Sequence, residues 1–121
     1  LYIIDGLYTA QASELDVSRF VSFGDQWTAS LLMSQDPVAI DSVGVDFLRS
    51  EPRQIHVRGS ADNYLHESAL IEDPPSKFKY MPDGAPVKSL GVHEHWNNPV
   101  EKKYSRNLGK KEGIELVQLK A

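Results

Sequence analysis

Two histidines one residue apart, His93 and His95, carry the densest chemistry in the sequence. They lie in Leu90-Gly91-Val92-His93-Glu94-His95-Trp96-Asn97-Asn98-Pro99. In an extended segment, residues i and i+2 point to one face. The two imidazoles then point together, with Val92, Glu94 and Trp96 on the other side. Same-face imidazoles suit a Zn, Fe or Cu ion that takes a third ligand from elsewhere. His66, Asp5 and Asp41 are the candidates for that ligand. The pair also suits general acid and base work, because imidazole titrates near neutrality. A third reading is a polar loop whose histidines bond to backbone.

Asp5 and Asp41 are the candidate catalytic carboxylates. Asp5 follows the apolar run Leu1–Ile4 and precedes Gly6. At the end of a parallel strand it would face the region where open sheets bind ligands, and otherwise it simply stops the strand in an Asp-Gly turn. Asp41 shares a helical face with Val38, Val45 and Leu48. A carboxylate on such a face is hydrogen-bonded, paired or functional, and its place early in a helix suits the positive helix end. Trp96, Asn97, Tyr104 and Arg106 form a second set, of types that hold a sugar, an anion or another small polar ligand.

The elements that must position these groups follow from the hydrophobic pattern. Leu1–Ile4 reads as a short buried strand. Residues 7–26 are weakly patterned, with a short helix or turn at Asp16–Phe20. Thr28–Met33 reads as a second strand. Asp36 then caps a helix that begins at Pro37, the position where proline is best tolerated. Val38, Ile40, Val43, Phe47 and Leu48 give it helical spacing, Gly44 implies close packing against a neighbour, and Pro52 ends it. Gln54–Val57 reads as an edge strand with His56 exposed. Residues 60–63 cap a second helix over Tyr64–Ile71. Glu72–Pro86 is proline-rich and irregular, residues 101–112 form a charged and solvated face, and a last strand is expected after Gly113. Strands at both ends of the chain, with two helices among them, predict an α/β fold, with a mixed or mostly parallel sheet, flanking helices and long loops.

Length and composition set the bounds. The chain has 121 residues, 40% hydrophobic and 25% charged, with a net charge of −4. That is one segment or domain able to bury a core. The acidic balance gives no case for nucleic acid, and no apolar run reaches the length of a membrane span. There is no cysteine, which removes disulfides, thiolate metal sites and any Fe–S cluster ligated by this chain. Because a core-like strand starts at Leu1 with no Met, the expected organisation is a single C-terminal segment, 1–121, of a larger α/β domain. Its N-terminal part would be a partner, and any leader would lie upstream.

Asp5-Gly6, Ser34-Gln35-Asp36-Pro37-Val38-Ala39-Ile40-Asp41 and Val43-Gly44 resemble the C-terminal part of the DUF362 family, a bacterial and archaeal family of uncharacterised proteins. Ala61-Asp62-Asn63-Tyr64-Leu65-His66-Glu67, Ser89–Asn98 and Tyr104–Gly109 resemble one subgroup of it. The resemblance covers most of the chain. It implies an exported protein with a twin-arginine type leader upstream. Some members carry an added ferredoxin-like cysteine cluster, a role that this cysteine-free chain does not share. Two functions follow as expectations. One is a metal-assisted enzyme, hydrolytic or redox, with a His/Asp site built from Asp5, Asp41, His66, His93 and His95 around Zn or Fe. The other is a non-catalytic exported module that binds a glycan or other polar ligand.

Overall fold

The structure, a computed structural model, describes residues 1–11, 16–54, 57 and 60–120. Strand β1 (Tyr2–Gly6) and strand β2 (Ser30–Ser34) precede helix α1 (Pro37–Ser50) and helix α2 (Ser60–Ala69). Among the described residues these are the only regular elements besides a single 3-10 turn at Val21–Phe23. The proposed edge strand at Gln54–Val57 falls partly on residues 55 and 56, which lie outside the described residues, as does His56 itself.

The expected mixed or mostly parallel sheet is not what forms. β1 and β2 pair antiparallel, with Tyr2 opposite Ser34 and Gly6 opposite Ser30, in a two-stranded sheet. The physical reason lies in the connection. A parallel pair needs a crossover that packs on the sheet, usually a helix. Among its described residues, the chain between β1 and β2 holds only the 3-10 turn and two isolated bridges, Ala10 with Val17 and Phe20 with Gln26. It therefore returns the chain antiparallel. Leu1–Ile4 is also not a buried run: Leu1 is 81% and Ile3 58% exposed. Only Ile4 turns inward, where its Cδ1 would lie 3.3 Å from a Cβ at Gly44. The close packing expected of Gly44 is thus present. The last strand is absent, and residues 114–120 run as irregular chain with Val117 and Leu119 exposed.

Helix α1 is the centre of the molecule. Asp36 caps it, its Oδ1 accepting from Ala39 N at 2.8 Å, and Pro37 opens it. One side buries Val38 and Val45 against Leu65 of α2, with Val57, Ala61 and Ala69 around them. The other side buries Val43 against Tyr104 and Ile114, with Leu32, Phe47 and Trp96 around them. Each such aliphatic side chain stabilises the fold by about 1.5–3 kcal/mol when fully buried. Because two layers cover α1, its polar residues are enclosed as well. Ser42 and Asp46 are buried and four residues apart, so they lie on one face of the helix.

Candidate metal centre

The loop over residues 91–96 crosses that polar face of α1. Asp36 fixes its start, because the Oδ2 of the same capping carboxylate accepts from Val92 N at 2.9 Å. Gly91 allows this approach. Its φ is 154°, and a Cβ there would fall 1.8 Å from Asp36 Oδ1. Asp46 fixes the other end, its Oδ2 accepting from Trp96 N at 3.0 Å. Between the two anchors His93 and His95 face the helix side by side, with ring centroids 5.0 Å apart.

Each imidazole is oriented through Nδ1. The Ser42 hydroxyl donates to Val38 O at 2.8 Å, and its oxygen is 2.8 Å from His93 Nδ1. A hydroxyl has one hydrogen, already directed at the carbonyl, so Nδ1 of His93 must donate to it. His95 Nδ1 lies 2.6 Å from Asp46 Oδ1, and an ionised carboxylate only accepts. His93 therefore carries its proton on Nδ1 and, as a neutral ring, presents Nε2 as a lone pair, while His95 donates from Nδ1 to Asp46. This is the arrangement in which a second layer of partners orients metal-ligating histidines.

Both Nε2 atoms turn toward one carboxylate. Asp62 Oδ1, from the first turn of α2, is 3.3 Å from His95 Nε2 and 3.9 Å from His93 Nε2. The His93 ring is 2% exposed, and its Nε2 has no hydrogen-bond partner among the described residues. Burial, with the neighbouring His66 and His95, holds the His93 pKa below the usual histidine value, so the ring is neutral at pH 7. For Asp62 burial acts upward. The Arg49 hydrogen bond at 2.7 Å and the Arg49 charge lead the causes that outweigh it and hold the carboxyl below its ordinary range. The His93 lone pair thus faces an anion. An added proton on His95 would serve that ring alone and leave His93 Nε2 unmatched.

A cation resolves the conflict for all three groups. One ligand atom each from Asp62, His93 and His95 lie within 4.8 Å of one another. Ligands on a tetrahedral zinc ion at about 2.1 Å are separated by about 3.4 Å, so small side-chain rotations close the set. Two imidazoles and one carboxylate suit Zn or Fe rather than the all-oxygen shells of Ca or Mg. Among the described residues the set has three ligands, and a tetrahedral ion would take a fourth from elsewhere, such as water.

The other sequence candidates fall elsewhere. His66 stands one turn after Asp62 on α2, its ring 4.5 Å from that of His93, but it is exposed and outside the three-residue group. Asp5 accepts from Leu7 N at 3.0 Å, a local turn. Asp41 is exposed rather than held in the apolar face, and partial burial raises its pKa. Asp5 and Asp41 both line a broad cavity of about 1120 Å³ beside Phe47, Leu116 and Tyr64. Asp62, His93 and His95 are not among its described lining residues. Tyr104 is fully buried and donates its hydroxyl to Asp46 Oδ2 at 2.8 Å. Arg106 pairs with Glu115 at 3.0 Å. Asn97 and Asn98 both donate to Glu101 Oε2 and accept from backbone N–H groups of their own turn. Trp96 packs edge-on against Phe47 at 5.1 Å.

Sequence reasoning missed Asp62, Asp46 and Ser42. The usable signal was the spacing of Ser42, Asp46 and Arg49, a polar stripe at i, i+4 and i+7 in an otherwise apolar helix. The chain matches no family model, no curated protein and no solved structure. What it does must therefore be argued from this geometry.

Proposed function

We propose that the protein is a metal-assisted enzyme whose ion is held by Asp62, His93 and His95. The observation that carries this reading is His93 Nε2: buried, deprotonated, without a partner among the described residues and aimed at an ionised carboxylate. A buried polar atom left unmatched costs about 1–3 kcal/mol, a cost that a ligand-binding role accounts for.

A bound ion of this kind would polarise a substrate oxygen or activate a water if it is zinc, and support redox chemistry if it is iron. The chain's own residues do the rest. Ser42 and Asp46 hold the two Nδ1 atoms, so both Nε2 atoms stay turned toward Asp62. Arg49 holds Asp62 in its ionised form and in place. The loop anchors at Asp36 and Asp46 keep the histidine pair from swinging outward. With three ligands among the described residues, the ion would have room for a water or substrate, whereas a purely structural ion takes four protein ligands.

The proposal includes the C-terminal part of a DUF362-like exported protein as its setting, supported by the motifs quoted above. The non-catalytic binding module is less well supported, because Tyr104 is buried against Asp46 and the Asn97 and Arg106 side chains already pair with Glu101 and Glu115.

The test is elemental analysis of the full-length protein purified without a histidine tag. The proposal expects close to one Zn or Fe per chain, and its loss in both Asp62→Ala and His95→Ala. A metal-free wild type that takes up neither ion on dialysis would overturn it.

A further inference from the structure

We propose that the recess beside this centre receives an oxyanion, a phosphoryl or carboxylate group of a small molecule, held between the metal and Arg49. The inference rests on the metal reading above and names the substrate class of that same site.

The recess has a volume of about 300 Å³ and is lined by Asp46, Arg49, Ser50, His95, Trp96 and Pro99 among others. That is the lower end of the range for small-molecule sites. His93 is enclosed at 2% exposure, whereas His95 is 41% exposed and forms part of the recess wall. Of the three candidate ligands, His95 is therefore the one that a molecule in the recess would reach.

Charge selects the ligand. Arg49 is the only lysine or arginine among the described residues that line the recess. Its Nη1 is 2.7 Å from Asp62 Oδ1, so the guanidinium stands next to the position of the ion. Asp46 is the one carboxylate of the lining. Its oxygens already accept from His95, Trp96 N and the Tyr104 hydroxyl, which spread its charge. A divalent ion together with Arg49 outweighs Asp46 and Asp62 by one positive charge, and the ion dominates the local field. Metal plus guanidinium is a recurrent pairing for phosphoryl and carboxylate oxygens.

The walls disfavour a neutral sugar. The side-chain amides of Asn97 and Asn98 are spent on Glu101, and Trp96 is packed edge-on against Phe47. No array of free side-chain amides is there to hold one.

The experiment uses the full-length protein loaded with one equivalent of Co²⁺, whose visible spectrum reports its ligands. Inorganic phosphate, acetate and glucose are titrated separately. Saturable spectral change with phosphate or acetate, and none with glucose, is the expected result, and the stronger of the two anions identifies the source. Compared at Co²⁺ concentrations that saturate each protein, Arg49→Met should bind the anion about tenfold or more weakly than the wild type. A Co²⁺-loaded wild type whose spectrum ignores both anions overturns the inference while leaving the metal reading intact, as does an unchanged anion affinity in Arg49→Met. Failure to bind Co²⁺ at all overturns the metal reading and this inference with it.

Discussion

Asp46 Oδ1 lies 2.6 Å from His95 Nδ1, and the same carboxylate accepts from Trp96 N at 3.0 Å and the Tyr104 hydroxyl at 2.8 Å. One buried side chain of α1 thus orients a candidate ligand, pins the histidine loop and ties down the residues after it. Asp46→Asn would keep the size and lose the charge. It should weaken Zn²⁺ binding about 10–100-fold through misoriented His95, and destabilise the fold by about 1–3 kcal/mol. Zinc titration of the variant alongside urea unfolding separates the two effects. Unchanged zinc affinity would show that Asp46 serves the fold alone.

Glu51 gives a pH prediction away from the centre. Its side chain is buried and accepts from Val21 N, Ser22 N and the Ser22 hydroxyl. Burial pushes its carboxyl up, but these hydrogen bonds together outweigh burial and lower it below the ordinary glutamate value. A carboxyl lowered in the folded state binds fewer protons there than when unfolded. Its contribution is therefore full above the unfolded pKa, about 4.3, and is lost as pH falls from there through the folded value. Glu51→Gln should cost about 1–3 kcal/mol at pH 7 and flatten the acid side of the stability curve. Urea unfolding from pH 7 to pH 3 checks this. Parallel curves for the two proteins would contradict it.

Gly91→Ala tests the start of the histidine loop. The new Cβ would collide with the Asp36 carboxylate, and φ at this position is 154°. The variant must give up the Asp36 contact to Val92 N or shift the loop. We expect a loss of about 1–3 kcal/mol, with weaker zinc binding because His93 and His95 follow directly. Thermal unfolding with and without zinc reads both. A variant as stable as wild type would show that the loop has another route past α1.

The sequence was most legible where local rules act alone. Asp36 and Pro37 mark the start of α1, Gly44 marks its closest neighbour, and the alternation in residues 93–95 puts both imidazoles on one side. The sheet was less legible. Whether β1 and β2 run parallel depends on how residues 7–29 return the chain, and that segment has no strong period. The centre was half legible. Histidine spacing announces a pair but not its third member. Asp41 drew attention as a carboxylate among apolar neighbours, yet one residue on a helix turns the side chain by about 100°. Ser42, not Asp41, faces His93. Asp62 becomes a partner only because α2 packs on α1 through Leu65, Val38 and Val45, a contact between segments about 20 residues apart that no local pattern encodes.

The central claim is that Asp62, His93 and His95 hold one ion. Its most direct test is calorimetric titration of Zn²⁺ into full-length protein stripped with a chelator and carrying no histidine tag. We expect one site per chain in the wild type, with affinity falling as pH drops and protons compete for the histidines. Asp62→Ala and His93→Ala should each abolish that site while still unfolding cooperatively. Binding of equal strength in the wild type and both variants, or no binding in any of them, would contradict the claim.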